Sequence, residues 1–266
     1  MRRARVAAVI LRQIYLIRGS FSRLVPLFVW VAVDMVLWGL ITKYLNGLTP
    51  GHNFVPTLLG GILLWDFFGR VMQGVTMAFF EDVWSRNFLN FFATPLSVNE
   101  YLCGLVLTSV MTSTVGLLAM LILSNVIFGL SFLSYGLMLF PFLLILFLFG
   151  IALGIVAVGI VLRLGPSAEW FIWPIPALIS PFAAVFYPLS ILPLWMQYFA
   201  KILPPAYVFE GMRQIIAGGI IPLTPLLLSL MMVLIYLSLA CWFFKHTFNS
   251  AMRTGLLARF SAENLT

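Results

Sequence analysis

Charged residues are scarce in this 266-residue chain: Asp, Glu, Lys and Arg together make up 9% of it, whereas 62% is hydrophobic. Soluble domains carry about 25% charged residues, so water is not the main solvent of this chain. Cysteine and histidine are limited to two residues each, without metal-ligand spacing. Cys103 and Cys241 lie in apolar runs and are interpreted as small core residues. His52 and His246 are expected on opposite sides of a membrane, which excludes an acid-base centre shared by two histidines.

Motifs for common catalytic sites are also missing. The sequence contains no Gly-x-x-x-x-Gly-Lys-Ser/Thr phosphate loop, no Gly-x-Ser-x-Gly and no His-Glu-x-x-His. We therefore expect no catalytic, cofactor-binding or metal-binding residues, and any ATP, with its magnesium, must be handled by a partner protein. The net charge of +7 comes from basic residues at the edges of apolar runs, which membrane topology and anionic lipids explain better than nucleic acid.

Long apolar runs are what the chain does have, and about 20 such residues cross a bilayer as a helix. The predicted fold is all-α: a polytopic membrane protein with six transmembrane helices in a single transmembrane domain over residues 1–266. Pro174, Pro176 and Pro181 should kink the fifth helix. The predicted spans cover roughly residues 24–45, 56–80, 101–128, 136–162, 167–187 and 222–244.

Four segments should lie outside these spans. Residues 1–23 carry six arginines and no cleavage site, so we expect them to be retained as an amphipathic interface helix with Val6, Ile10, Ile14 and Ile17 on one face. A frayed basic leader is the alternative. Residues 81–100 are predicted to be a cytoplasmic connector, 188–219 a re-entrant or outer-face helical pair, and 245–266 a cytoplasmic tail.

The distribution of Lys and Arg predicts the orientation. Eleven of them flank the side that holds both termini and three flank the other side. Because positive residues are retained in the cytoplasm, both termini should be cytoplasmic.

Three charged residues fall inside predicted spans, where hydrocarbon penalises charge. Asp66 and Arg70 are one helical turn apart and can pair, and Asp34 could reach Arg70 if the first two spans pack together. A buried ion pair that fixes helix register and a polar contact for substrate are both open interpretations. Aromatic residues, 15% of the chain, similarly fit either helix packing or the wall of a translocation path.

Two segments resemble the permeases of type 2 ATP-binding-cassette exporters. The first is EDVWSRNFLNFFATPLS at 81–97, with Glu100 after it, and the second runs from FYPLSILPLW at 186–195 to LPPAYVFEGMR at 203–213. Many members carry Gly-Thr-Leu-Glu where this chain reads Asn-Phe-Leu-Asn at 87–90. The resemblance extends in span count and order over nearly the whole chain.

The resemblance implies a function and partners. Two permease copies, as a homodimer, would surround a central path in the bacterial inner membrane, and two cytoplasmic ATPase subunits would drive an amphiphilic or glycan-type substrate outward. The connector residues implied to contact the ATPase are Glu81, Asp82, Arg86, Asn90, Thr94 and Pro95. Those implied to form the re-entrant pair are Pro188, Pro193, Pro204, Tyr207, Glu210 and Arg213.

The main alternative is a stand-alone secondary transporter or channel. Such a protein should show an internal inverted repeat and a carboxylate cluster at mid-membrane, and neither is seen in the sequence. A purely structural membrane scaffold is a further option, which the charged connector and the proline-rich segment make less attractive.

Overall fold

The computed structural model describes residues 2–48, 55–85, 94–130, 136–137, 139–218 and 223–254. Helices account for all the regular secondary structure of these residues. A π-helical turn, Val55–Leu59, leads into the third helix, and 3-10 turns occupy Pro166–Ala168 and Leu189–Ile191. The α-helices are α1 Arg3–Arg18, α2 Phe21–Leu48, α3 Gly60–Trp84, α4 Val98–Phe128, α5 Leu139–Leu164, α6 Glu169–Ile172, α7 Ile175–Ile179, α8 Leu194–Lys201, α9 Pro204–Ile216 and α10 Leu223–Arg253.

Five helices in the described part of the chain are long and apolar enough to cross a membrane: α2, α3, α4, α5 and α10. They correspond to five of the six predicted spans, and several extend past the predicted ends. The segment predicted as the fifth span instead forms a 3-10 turn, the short helices α6 and α7, and further turns up to residue 187. Prolines at 174, 176 and 181 lack the backbone N–H of a continuous helix, so the chain restarts rather than merely bends.

The core is centred on α3 and α5, which are largely buried. Gly150 and Gly154 of α5 face α3 at close range: a Cβ atom at Gly154 would lie 2.8 Å from the Met72 carbonyl oxygen and 2.8 Å from Val75 Cβ. Small residues four apart let two membrane helices approach each other closely. α4 also packs against α3, where the Ser109 hydroxyl donates a hydrogen bond to the Val71 carbonyl at 2.7 Å.

α5 and α10 are neighbours that run in the same direction. Phe149 meets Tyr236 edge to face with ring centroids 5.5 Å apart, and ten residues further along α5 a Cβ atom at Gly159 would touch the Phe243 ring. Because later residues of α5 meet later residues of α10, the chain must return along the length of the bundle between these two helices. Val185 accordingly lies beside Gly61, near the beginning of α3.

α1 packs against the bundle. A Cβ atom at Gly104 of α4 would lie 2.5 Å from Val9 Cγ1, so the two helices are in direct contact. The buried residues of α1 are Val6, Val9 and Gln13, whereas Ile10, Ile14 and Ile17 of the predicted stripe are half-buried. The buried face of α1 is therefore rotated from the predicted one. It contains Gln13, which the prediction from apolar residues alone left out.

Candidate functional site

The two described ends of the connector lie close together in the fold, and both contact α1. α3 ends at Trp84, and the chain is described again from Thr94 and Pro95, both exposed, into α4. Two predicted ATPase contacts, Arg86 and Asn90, lie outside the described residues. α4 opens with a capping box, in which the Glu100 N–H donates to Ser97 Oγ at 3.3 Å and the Ser97 N–H donates to Glu100 Oε2 at 3.0 Å.

Asp82 sits at the α3 end of the connector, and its side chain is 0% exposed. It accepts hydrogen bonds from the Arg12 guanidinium, the Tyr101 hydroxyl at 2.7 Å and Gln13 Nε2 at 3.4 Å. The sequence predicts Asp82 on the surface presented to an ATPase, but the structure places it inside the chain's own contacts. Gln13 also donates to the Ala78 carbonyl at 3.0 Å, which explains its burial in α1.

Glu100 occupies the equivalent position at the α4 end. Its carboxylate accepts a hydrogen bond from the Arg2 backbone N–H at 2.7 Å. It also forms an ion pair with Arg5 Nη1 at 3.3 Å. α1 is therefore tied to the connector at both ends, to Asp82 through its second half and to Glu100 through its first. Sequence reasoning missed Arg2, Arg5, Arg12 and Tyr101, although six arginines in residues 1–23 and three acidic residues in the connector were a usable signal.

The three intramembrane charges come together at a cavity. Arg70 Nε donates to Asp66 Oδ2 at 2.7 Å, which confirms the pair predicted from their spacing. Asp34 of α2 lies close enough to Arg70 for their charges to interact. All three side chains line a cavity of about 670 Å³. Its other lining residues are Gln13, Ile17, Trp30, Gln73, Gly74, Met77, Ala78, Glu81, Trp84, Thr108, Thr112, Ser113, Gly116 and Trp173.

A second ion pair fastens the turns before α8 to α9. Arg213 Nη2 lies 3.1 Å from Glu210 Oε1, as their spacing predicts, and donates to the Ala184 carbonyl at 2.6 Å. Glu210 Oε1 in turn accepts from the Leu189 N–H at 2.6 Å. Ala184 is buried and has φ +57°, a left-handed conformation that costs an alanine about 1–2 kcal/mol. The Glu210–Arg213 pair helps to hold the chain in that shape.

The remaining predicted residues of this region lie at helix starts and in one turn. Pro188 and Pro193 each precede a helical piece, and Pro204 is the first residue of α9, where a missing N–H leaves no hydrogen bond unmade. Tyr207 donates from its hydroxyl to the Lys201 carbonyl at 2.7 Å, which closes the α8–α9 turn. Burial raises the pKa of the Tyr207 hydroxyl.

In the described parts of the chain, no three His, Cys, Asp or Glu side chains are grouped closely enough to hold a metal ion.

Comparison with known proteins places this arrangement in a family. No curated protein matches the chain significantly. The family model described as ABC-2 type transporter matches residues 8–217, from the second turn of α1 through the end of α9. That match includes both ends of the connector, the charged cavity and the Glu210–Arg213 pair. The chain is a multi-pass membrane protein that belongs to the ABC-2 type transporter family.

Proposed function

We propose that this chain is the membrane-spanning permease subunit of an ATP-binding-cassette exporter. It moves an amphiphilic or glycan-type substrate outward, and ATP with its magnesium is bound and hydrolysed on a separate ATPase subunit. The observation that carries this proposal is the family match over residues 8–217. The connection between α1 and both ends of the connector supports it, because a soluble motor needs a rigid attachment through which to move the membrane helices.

The proposed topology has six crossings. The parallel packing of α5 and α10 supports it, since the segment between them must return along the bundle. The fifth crossing is then the broken segment from residue 166 to 187, whose backbone polar groups must be satisfied by packing against other parts of the protein. Six crossings put α1 and the end of α10 on one side, which the distribution of Lys and Arg makes the cytoplasm.

The proposed docking surface for the ATPase is the outer side of the connector. Thr94 and Pro95 are exposed there, and Glu81, Arg86 and Asn90 complete the proposed contact set. Asp82 has a different role in this proposal: it fixes α1 to α3 so that a push on the connector also moves α1. The re-entrant pair, α8 and α9, would lie at the outer face.

The proposed assembly contains two permease copies and two ATPase subunits in a bacterial inner membrane. Outward faces of α2, α4 and α10 carry large exposed apolar residues, which would contact lipid or the second copy. Examples are Leu37, Leu118, Ile122, Leu234 and Trp242.

Native mass spectrometry of the tagged protein, purified gently from its own membranes, tests the proposal. We expect a complex of two 29.8 kDa permeases with two copies of a subunit that hydrolyses ATP. The same complex, reconstituted in vesicles, should transport only when ATP is supplied.

Repeated isolation of the permease alone, under conditions that keep known transporter complexes together, would contradict the proposal. Transport by the isolated chain without any ATPase would favour the stand-alone secondary transporter or channel instead.

A further inference from the structure

The cavity between α1, α2, α3 and α4 carries an excess of negative charge. Two carboxylates of its lining, those of Asp34 and Asp66, lie around one guanidinium, that of Arg70. Arg70 is engaged by Asp66 at 2.7 Å, and Asp34 lies near the same guanidinium from the opposite helix. A site with this balance favours a ligand that carries positive charge and disfavours an anion.

Aromatic side chains form a second part of the lining. Trp30 of α2, Trp84 at the end of α3 and Trp173 between α6 and α7 all face the cavity. Tryptophan offers the best ring face for a cation and a large apolar surface for the rest of a ligand. The cavity volume of about 670 Å³ lies within the range of small-molecule sites.

A buried hydroxyl without a partner lies in the same wall. Ser113 is 2% exposed, and its Oγ has no hydrogen-bond partner in the described structure. Its neighbours Thr108 and Thr112 donate to backbone carbonyls of α4, at 2.9 Å and 3.1 Å. A buried hydroxyl that makes no hydrogen bond costs free energy, so a partner supplied by a bound molecule would stabilise this arrangement.

We propose that this cavity binds a lipophilic organic cation, with the positive group near Asp34 and the apolar body against Trp30 and Trp173. The inference rests on the proposed function for its biological meaning, since the bound cation would be the exported substrate. It narrows that substrate from amphiphiles in general to cationic ones. It also places a binding site inside a single chain, between helices that surround the Asp66–Arg70 pair.

Two ions of matched size and opposite charge test the proposal on the full-length permease in nanodiscs. Equilibrium binding of tetraphenylphosphonium and of tetraphenylborate is measured, and binding to empty nanodiscs of the same lipid is subtracted. We expect saturable binding of the cation at least about tenfold tighter than any binding of the anion. Asp34→Asn should weaken cation binding by about tenfold, and Asp34→Glu, which keeps the charge, should restore most of it.

Ser113→Ala provides an independent test with a matched control. Because Ser113 Oγ has no partner in the described structure, its removal should leave the melting temperature unchanged or higher and weaken the binding of a hydroxyl- or amine-bearing cation such as rhodamine 6G. Ser124→Ala removes a buried serine of the same helix that lies outside the cavity and donates to the Leu121 carbonyl. This control should leave binding of the cation unchanged.

Equal binding of the two ions, or cation binding that Asp34→Asn does not change, would overturn the proposal. These measurements need no ATPase, so their outcome is separate from that of the proposed function. If the permease co-purifies with an ATPase but does not discriminate between the ions, the proposal of a cationic substrate is wrong and the proposal of an exporter stands. If the permease binds the cation but never associates with an ATPase, the proposed binding site stands and the proposal of an exporter is wrong.

Discussion

Arg213 and Glu210 together connect α9 with two turns that precede α8. Its guanidinium reaches the Ala184 carbonyl at 2.6 Å and Glu210 at 3.1 Å, and Glu210 accepts from the Leu189 N–H. The turn at Ala184 has a left-handed backbone that needs such support. The two residues therefore determine the position of the chain between α7 and α8.

We predict that Arg213→Gln lowers the free energy of unfolding by about 2–3 kcal/mol. It removes the ion pair and the bond to the strained turn, and it leaves the Glu210 carboxylate without its cation. Thermal unfolding in detergent measures the effect. Lys201→Gln is the matched control, because Lys201 is an exposed cation of the neighbouring helix. An equal melting temperature for Arg213→Gln and the unmodified protein would contradict this role.

Asp66 balances the charge of Arg70 in the second membrane helix. We predict that Asp66→Ala destabilises the protein by about 3 kcal/mol, because the guanidinium stays behind in a largely apolar bundle. Asp34 remains near Arg70 and keeps the cost at the low end. The double variant Asp66→Ala, Arg70→Ala should recover part of the loss, since no unpaired charge remains. Thermal unfolding of the single and double variants checks this, and an unchanged single variant would show that water solvates Arg70.

Pairs close in sequence were the predictable part of the site. Asp66–Arg70 and Glu210–Arg213 follow from spacings of four and three residues on a helix. The contact of Arg12 with Asp82 joins residues 70 positions apart, and no periodicity indicates such a contact. Gln13 was missed for a related reason. A polar residue is expected outside a buried apolar stripe, and only the structure shows the Ala78 carbonyl that accepts its hydrogen bond.

At the scale of elements, α3 and α5 pack closely enough for a side chain of one to fill the space beside a glycine of the other. Gly154 lets α5 approach until the space for a Cβ atom is taken by the Met72 carbonyl and Val75. The pattern Gly150-x-x-x-Gly154 was visible in the sequence, but only the structure shows which helix it faces.

Gly154→Ala should therefore destabilise the bundle by about 1–3 kcal/mol, because the backbones of α3 and α5 must move apart. Gly69→Ala is the control: Gly69 lies within α3, and a Cβ atom there meets nothing within 4 Å. This control should be neutral or stabilise the protein by up to about 1 kcal/mol through helix propensity. Thermal unfolding of both variants decides, and equal melting temperatures would contradict close packing at Gly154.

The five long helices were predictable because each is a long apolar run, and length and hydropathy alone define it. The region from residue 166 to 203 was harder to predict. Its prolines indicate where helices stop, but the path between the stops depends on tertiary bonds such as those of Arg213 to Ala184 and of Gln197 to the Leu192 carbonyl at 2.8 Å.

At the scale of the whole molecule, α1 joins the two ends of the connector. We predict that Asp82→Asn loosens α1, because the amide loses the charge-assisted bond to Arg12, worth about 1.5–3 kcal/mol. Hydrogen exchange of the α1 amides should accelerate by roughly ten- to a hundredfold. In the reconstituted complex, ATP hydrolysis should continue while transport falls.

Arg3→Gln is the control for this prediction, since Arg3 is an exposed arginine of the same helix. It should change neither the exchange of α1 nor transport. Unaltered exchange in Asp82→Asn would show that apolar packing against α4, as at Val9 and Gly104, holds α1 by itself.

The proposed topology makes a separate prediction. In a background of Cys103→Ala and Cys241→Ala, we expect Ser85→Cys and Arg253→Cys to react with a membrane-impermeant maleimide only in inside-out vesicles. Lys201→Cys should react only in right-side-out vesicles, because the broken segment carries α8 to the opposite side. Labelling of Lys201→Cys and Ser85→Cys from the same side of the membrane would contradict the proposed fifth crossing.

The parallel alignment of α5 and α10 has a consequence for biosynthesis. When α5 leaves the ribosome, its eventual neighbour does not yet exist, and nearly sixty further residues must be made before α10 begins at Leu223. During that interval the face around Gly159 can rest against lipid, since α5 has the highest mean hydropathy of the five long helices, 3.0. A polar substitution on this face would thus impair membrane insertion of the nascent chain, a defect that equilibrium unfolding of the finished protein would not reveal.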